Sequence, residues 1–143
     1  MSRIVDVVHR NGPPVSVPPT ASALTAASTM ASHNVGATLV LDEGTLVGIF
    51  TERDVARRVV VPGLDPGSTT VAEVMTPDVV VVQADTSHQE VMRLMQRGRF
   101  RHVPVADGEK LAGVVSIRDL LRFEKEHAEA ENQQLRQYVY SYQ

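Results

Sequence analysis

A seven-residue motif that occurs twice is the feature that most constrains how this chain folds. Residues 48–54 read Gly-Ile-Phe-Thr-Glu-Arg-Asp, and residues 113–119, which lie 65 positions later, read Gly-Val-Val-Ser-Ile-Arg-Asp. The same offset aligns further identical residues without a gap, among them Val17 with Val82, Met30 with Met95, Val40 with Val105 and Leu46 with Leu111. An internal alignment that covers most of two half-chains predicts a tandem duplication.

The duplication divides the 143 residues into two units of similar size. A repeat of roughly 60 residues buries too little surface to be stable alone, so we expect the two repeats to pack into one compact unit. We assign residues 1–61 to the first repeat, 62–70 to a linker, 71–122 to the second repeat and 123–143 to a helical tail.

Hydrophobic periodicity predicts the order strand, helix, strand, strand, helix in the first repeat, after a short helical segment at residues 4–10. Val15–Val17 reads as an edge strand because prolines flank it on both sides. A helix is predicted to start at Thr20, and a helix is also predicted over 51–61. The two central strands of the first repeat are predicted at 37–41 and 46–50. The apolar stripe of the first helix comprises Leu24, Ala27, Met30 and Ala31.

The second repeat gives the same order of elements. Strands are predicted at Val79–Val82, at 103–106 and at 111–115, the last two around an Asp107-Gly108 turn. Thr86 and Gln89 have capping-box spacing at the start of its first helix. The residues of that helix predicted to face inward are Val91, Leu94 and Met95.

The last helix begins at Ser116 and is predicted to run far beyond the repeat, because residues 122–143 contain no glycine or proline. An apolar or small residue recurs every seven positions in this helix, at Leu121, Ala128, Leu135 and Tyr142. Such a stripe packs either on the body of the protein or on a second copy of the chain. Both alternatives are open at this point.

Composition excludes several classes of function. The net charge is −3 and the 14 basic residues are dispersed, which argues against nucleic acid or an anionic membrane as the partner. There is no cysteine, no apolar segment long enough to cross a membrane and no signal peptide, so we predict a cytoplasmic protein. The histidines lack metal-ligand spacing, and no nucleophile has a plausible base. We therefore predict a non-enzymatic protein without a metal site of its own, in which Mg²⁺ arrives only with a nucleotide.

The twin motif has both a structural and a functional interpretation. Thr51 with Asp54, and Ser116 with Asp119, are spaced as the N-cap and N3 residues of a helix. Aspartate is shorter than the usual glutamate at N3, so we expect it to reach the N-cap amide less easily. A carboxylate at a helix start can also accept the two hydroxyls of a ribose. Capping and ligand binding do not exclude each other.

At these residues the chain resembles the CBS domain family, named after cystathionine β-synthase. The resemblance also includes Val74–Pro77 and the sequence Arg-His-Val-Pro-Val at residues 101–105, and it covers residues 5–122. It implies an α+β fold of two β-α-β-β-α repeats, packed through their sheets with pseudo-twofold symmetry and followed by a helical extension. It also implies two clefts that bind AMP, ADP, ATP or S-adenosylmethionine.

The resemblance assigns site residues to each cleft. Asp54 and Asp119 would accept from ribose, Thr51 and Ser116 would contact ribose or phosphate, and Ile49 and Val114 would line the adenine. The Asp54 cleft would be walled by Phe100, Arg101 and His102, and the Asp119 cleft by Val35, Gly36 and Ala37.

The two repeats differ at one informative position. Arg101 and His102 match family positions that supply charge to phosphates, whereas the first repeat has Gly36 and Ala37 there. We predict that the Asp119 cleft takes the more phosphorylated ligand and that the other cleft binds weakly or is empty. Arg53 and Arg118, one before each aspartate, either add positive charge to the clefts or lie on a solvated helix face.

These observations predict a regulatory module that senses adenine nucleotides, forms a homodimer and acts on an enzyme or transporter. The alternative is a structural module with vestigial clefts, whose role is dimerisation or binding of a partner without a ligand.

Overall fold

The computed structural model describes residues 2–8 and 14–141, and it contains two three-stranded sheets of the same construction. The strands are β1 Ser16–Val17, β2 Ala37–Asp42, β3 Thr45–Thr51, β4 Val82–Gln83, β5 His102–Asp107 and β6 Lys110–Ser116. The helices are α1 Ile4–Val8, α2 Ala23–His33, α3 Glu52–Asp54 with a π-helical continuation Val55–Val60, α4 Val71–Val74, α5 His88–Gly98 and α6 Ile117–Ser141. This α+β architecture confirms the predicted fold class.

The two sheets have the same topology and the same irregularity in strand register. One sheet has the order β1-β2-β3 and the other β4-β5-β6, with the first pair parallel and the second antiparallel in each. The register shifts once in each antiparallel pair, between Val40 and Leu41 and between Val105 and Ala106. Val40 and Val105 are equivalent in the duplication, so the bulge belongs to the repeat.

Helices α2 and α5, which occupy equivalent places in the two repeats, each begin at a serine N-cap and end at a residue in the left-handed conformation. Ser22 accepts from the backbone N–H of Thr25, and Ser87 accepts from that of Glu90. The prediction that helix α2 starts at Thr20 was wrong. Of the predicted apolar stripe, Met30 is buried, whereas Leu24 is 53% exposed and the other buried residues of the helix are Ala23 and Ala26. Apart from Met30, the buried positions lie one residue before the predicted ones, at Ala23 in place of Leu24 and at Ala26 in place of Ala27.

Two predictions for the second repeat were also wrong. Thr86 does not cap α5, because its N–H donates to the carbonyl of Gln83 and its carbonyl accepts from Ile4, which holds it in the preceding loop. The strand predicted over Val79–Val82 is reduced to Val82–Gln83. Asp78 adopts a positive φ of 55°, and the chain turns there before it can join the sheet.

The two short helices that precede the sheets are exchanged between the hydrophobic cores. Helix α1 buries Ile4, Val7 and Val8 in the core formed by β4, β5, β6 and α5, which belongs to the second repeat. Helix α4 buries Val71 and Val74 in the core of the first repeat. The units that pack together therefore differ from the units that repeat in the sequence.

A third apolar cluster joins the two sheets. Ala37, Leu39 and Ile49 of the first sheet form its buried part, and Leu111 and Val114 of the second sheet pack against it. This contact closes the interface between the repeats, and the twin motifs flank it.

The final helix extends well past the second core. Phe123 is its last residue in that core, and Leu121 is 55% exposed. Tyr142 of the predicted stripe lies outside the described residues. Within residues 2–8 and 14–141, no helix combines the length and apolarity needed to span a membrane.

Candidate functional site

Both copies of the twin motif form a complete capping box. The carboxylate of Asp54 accepts from the backbone N–H of Thr51 at 3.0 Å, and the Thr51 hydroxyl accepts from the N–H of Asp54 at 3.2 Å. In the second copy, Asp119 accepts from Ser116 at 2.9 Å and the Ser116 hydroxyl accepts from Asp119 at 3.1 Å. Aspartate was expected to reach the N-cap amide less easily than glutamate does, and in both copies it reaches this amide.

The boxes engage one carboxylate oxygen, Oδ2, in each copy. A ribose held at either aspartate would therefore share a carboxylate whose position is already set by its own helix start. Such a fixed acceptor is suited to ligand binding because little side-chain freedom remains to be lost.

The surroundings of Asp54 are enclosed. Its side chain is 12% exposed, Arg58 Nε lies 3.6 Å from Oδ1, and the Thr76 hydroxyl donates to Oδ1 at 3.4 Å. Thr76 belongs to the segment that enters the second repeat, and its backbone pairs with Ile49. The resemblance to CBS domains includes Thr76, within Val74–Pro77, but assigns it no role. Its contact with Asp54 depends on the exchange of the lead-in segment.

His102 of the second repeat lies next to Gly36 of the first repeat. A Cβ added to Gly36 would lie 3.2 Å from its Nε2 and 3.7 Å from the carboxyl carbon of Glu52. Burial lowers the pKa of His102 below the ordinary value of 6.5, and the nearby Arg101 charge acts in the same direction. Asp119, Glu52 and Asp54 raise that pKa in decreasing order, without cancelling the effect of burial.

Burial keeps His102 a neutral imidazole near neutral pH, and among the carboxylates Asp119 opposes this effect of burial most strongly. The resemblance to CBS domains implies a place for His102 in the wall of the Asp54 cleft. In the structure it touches Gly36, which was placed in the wall of the Asp119 cleft.

The remaining predicted site residues lie in four different places. Ile49, Val114 and Ala37 lie in the apolar cluster between the sheets, while Val35 packs against the core of the first repeat. Phe100, Arg101 and Arg53 line a separate cavity, together with Arg99, Met95 and Ile117. Arg118 is exposed.

In the part of the chain that is described, no three His, Asp or Glu side chains are arranged to hold a metal ion. The aspartates of the site can accept hydrogen bonds from hydroxyl groups, and the residues between the sheets offer apolar contact. Arginine side chains farther from the aspartates supply positive charge.

The duplication agrees with comparisons to known proteins. The chain matches the CBS domain family twice, over residues 4–61 and 71–126. It belongs to this family. The two matches coincide with the two sequence repeats, so the chain is a CBS pair.

Among curated proteins, the CBS pair is 38% identical over 105 residues to the CBS domain-containing protein YhcV of Bacillus subtilis, which covers 73% of this chain and 74% of YhcV. The matched region makes up 58% of the mitochondrial CBSX3 of Arabidopsis thaliana and 37% of the arabinose 5-phosphate isomerase KdsD of Escherichia coli. The chain thus spans only part of these longer proteins.

Solved structures show the same CBS-pair fold. The CBS-domain protein ATU1752 of Agrobacterium tumefaciens superimposes with a TM-score of 0.80 at 38% identity, over 86% of this chain and 99% of that one. The CBS domain protein PAE2072 of Pyrobaculum aerophilum, solved in complex with AMP, superimposes with a TM-score of 0.74 at 29% identity, over 82% of this chain and 89% of that one.

Proposed function

We propose that this CBS pair is a non-enzymatic, cytoplasmic regulatory module that binds an adenosine-containing ligand between its repeats. The ligand is AMP, ADP, ATP or S-adenosylmethionine, and Mg²⁺ enters only with a nucleotide. The observation that carries the proposal is the duplicated carboxylate, which a capping box holds at the helix start in each repeat. The AMP complex of PAE2072 supports adenosine as the ligand class.

The Asp119 cleft is the stronger candidate of the two. Asp54 is buried, with a side chain that is 12% exposed. Asp119 is only partly buried, and His102 lies in its electrostatic range. A phosphate near His102 favours the protonated imidazole, so this side can supply a positive charge when the ligand requires one. We expect the Asp54 cleft to bind weakly or to stay empty.

The readout is a change in the relation between repeats or between protomers of a homodimer. A ligand shifts an equilibrium only when it contacts the two states differently, and a ligand between repeats touches both of them. A regulated enzyme or transporter would then sense the altered surface.

Calorimetric titration with AMP, ADP, ATP and S-adenosylmethionine tests the proposal. Asp119→Asn keeps an oxygen for the capping box but removes the charge, so its affinity should fall about tenfold or more, since a hydrogen bond to a charged group contributes about 1.5–3 kcal/mol. Asp54→Asn should have a smaller effect. Asp107→Asn in the exposed hairpin turn is the matched control. Absence of heat with all four compounds, or wild-type affinity of Asp119→Asn, would refute the proposal.

The second candidate function is dimerisation without a ligand, and one observation favours it. Val60, Val61 and Leu64 are 67%, 80% and 43% exposed at the end of the first repeat, an apolar surface of the kind that contacts a partner. Val61→Glu should shift the chain from dimer to monomer in analytical ultracentrifugation, whereas Glu126→Gln at the equivalent position of the second repeat should not. If Val61→Glu abolishes regulation while ligand binding persists, both functions operate.

A further inference from the structure

A cavity of about 660 Å³, which we call the α1 cavity, lies beside the core of the second repeat. The segment that contains α1, the first turn of α5 and the part of α6 that follows Phe123 form its wall. The polar residues of this wall are Ser2, Asp6, His88, Gln89, Glu124 and His127. None of them belongs to a capping box or to the residues that the CBS resemblance assigns to the clefts. The volume lies within the roughly 300–1,000 Å³ that is typical of small-molecule sites.

The polar wall is a property of the second repeat alone. Four of its residues have counterparts in the first repeat at the offset of 65 positions, and none of these counterparts carries a polar side chain. The pairs are His88 with Ala23, Gln89 with Leu24, Glu124 with Val59 and His127 with Pro62. The first repeat shows that this fold forms with apolar residues at all four positions. The folding of the repeat therefore does not explain why four polar groups meet at one cavity.

His88 is the most deeply buried polar residue of the wall, with 6% of its surface exposed. Its Nδ1 lies 3.5 Å from the carbonyl oxygen of Ser2, which also accepts from the backbone N–H of His88 at 3.2 Å. Its Nε2 lies 3.9 Å from Oε1 of Glu124, a contact that is an ion pair only when the imidazole is protonated. These contacts connect the segment before α1, the start of α5 and α6, and they hold the imidazole in the wall.

Gln89 has a side-chain oxygen that is buried without a hydrogen-bond partner. Among the side chains that the structure describes, its Oε1 is the one atom in this condition. A buried acceptor without a partner is less stable than the same group in water, and the leucine at the equivalent position of the first repeat avoids this cost. Since Gln89 lines the α1 cavity, a donor on a bound molecule would complete its hydrogen bonding.

The charge of the α1 cavity is negative. Asp6 and Glu124 contribute carboxylates, and none of the described residues that line it is a lysine or an arginine. Arg3 lies 3.9 Å from Asp6, but the two side chains are 62% and 49% exposed, so water screens this pair. The start of α5 adds a partial positive charge of about half a unit, which two carboxylates exceed. The wall therefore favours a cationic ligand.

We propose that the α1 cavity binds a small organic cation with primary ammonium groups, of the aliphatic diamine or polyamine class. An ammonium group has three N–H donors and no acceptor, which matches the carboxylates of Asp6 and Glu124 and the unpartnered oxygen of Gln89. Within the described residues, no three His, Asp or Glu side chains are arranged to hold a metal ion, which favours an organic cation. The ligand connects α1, from the first repeat, to α5 and α6 of the second. It therefore stabilises the exchanged arrangement of the lead-in helices.

Putrescine and spermidine are the probes, and a butanediol of the same chain length is the neutral counterpart of putrescine. Calorimetry and thermal unfolding at low ionic strength should show binding and stabilisation by both amines and neither effect with the diol. Glu124→Gln should weaken putrescine binding about tenfold or more. Glu109→Gln, the same charge change in the exposed hairpin between β5 and β6, should not. No response to either amine, an equal response to the diol, or equal losses in the two variants would overturn the site.

Gln89→Leu distinguishes a specific site from a general attraction of amines to an acidic protein. This variant keeps the net charge of −3 and introduces the residue that the first repeat has at the equivalent position. It should weaken putrescine binding about fivefold or more. Without ligand it should unfold at the same or a higher temperature than wild type, because a buried acceptor without a partner has been removed. Wild-type putrescine affinity in Gln89→Leu would overturn the proposal, since charge alone would then account for the binding.

The histidines report where the amine binds. Putrescine should shift the imidazole NMR signals of His88 and His127, which line the α1 cavity. It should leave unchanged those of His33, exposed at the end of α2, and of His102, which lies next to Gly36. Shifts at His102 without shifts at His88 would refute the α1 cavity as the site. An adenosine ligand in the proposed clefts should give the opposite pattern, so the failure of one proposal leaves the other standing.

Discussion

The imidazole of His102 and the α-carbon of Gly36 face each other across the boundary between the repeats, and a methyl group at position 36 would lie 3.2 Å from Nε2. His102 is the duplication equivalent of Ala37, so the second repeat places a titratable ring where the first has a methyl group. The clefts are consequently unequal even though their capping motifs are alike.

Replacing Gly36 with alanine tests the role of this contact. The added methyl should displace the His102 ring by a few tenths of an ångström and weaken a phosphorylated ligand about five- to tenfold, equivalent to roughly 1 kcal/mol. Stability should change little, because the lower entropy of the unfolded alanine chain contributes about 0.4–1 kcal/mol in the opposite direction. Calorimetry with AMP and ATP, and thermal unfolding, measure the two effects. Gly67→Ala in the exposed linker is the control, and an unchanged affinity of Gly36→Ala would exclude His102 from the cleft.

The lowered pKa of His102 predicts a particular dependence of stability on pH. Between the folded pKa and the unfolded value of 6.5, the unfolded chain binds more protons than the folded one, so stability rises with pH. The stability associated with neutral His102 is complete above that unfolded value and is lost as pH falls through the folded pKa. His102→Gln should therefore lose less stability than wild type between pH 7.5 and pH 5. Thermal unfolding of both proteins measures this difference, and parallel pH profiles would contradict it.

The exchange of the lead-in helices predicts which core each one stabilises. Ile4 is fully buried in the second core, so Ile4→Ala should cost about 2–5 kcal/mol of unfolding free energy. Amide hydrogen exchange should show the earliest loss of protection in β5 and β6 rather than in β2 and β3.

Val71→Ala is the reciprocal control for this exchange, because Val71 is fully buried in the first core. It should reduce protection first in β2 and β3. If Ile4→Ala instead weakened the first sheet, the assignment of α1 to the second core would fail.

Gly48 lies close to the segment that enters the second repeat, so a larger residue at this position should destabilise the protein. A Cβ there would overlap the Met75 side chain and lie 3.0 Å from the Thr76 carbonyl oxygen, so Gly48→Ala should cost about 1–3 kcal/mol. Met75→Ala should relieve part of that cost, although the contact with the carbonyl oxygen remains. Chemical denaturation of both single variants and the double variant measures the coupling, and simple additivity would show that the two residues do not touch.

Local chemistry made much of the fold predictable. The twin motif, the hairpin turns and the inward positions Val91 and Met95 follow from spacing and alternation along short stretches, and the structure confirms those elements. Helix starts were less predictable, since Ser22 and Thr20, or Ser87 and Thr86, are equivalent by residue type. Long-range hydrogen bonds decide between them, such as the one from Ile4 to the carbonyl oxygen of Thr86.

The sequence by itself determined that the chain is a duplication with a carboxylate at each helix start, because both properties follow from residue identity and spacing alone. Tertiary structure alone decided that α1 enters the second core, that Thr76 reaches Asp54 and that Arg53 meets Arg99. Each of these contacts joins segments distant in the chain. Their free energy comes from burial, charge and hydrogen bonding between elements, which no local pattern encodes.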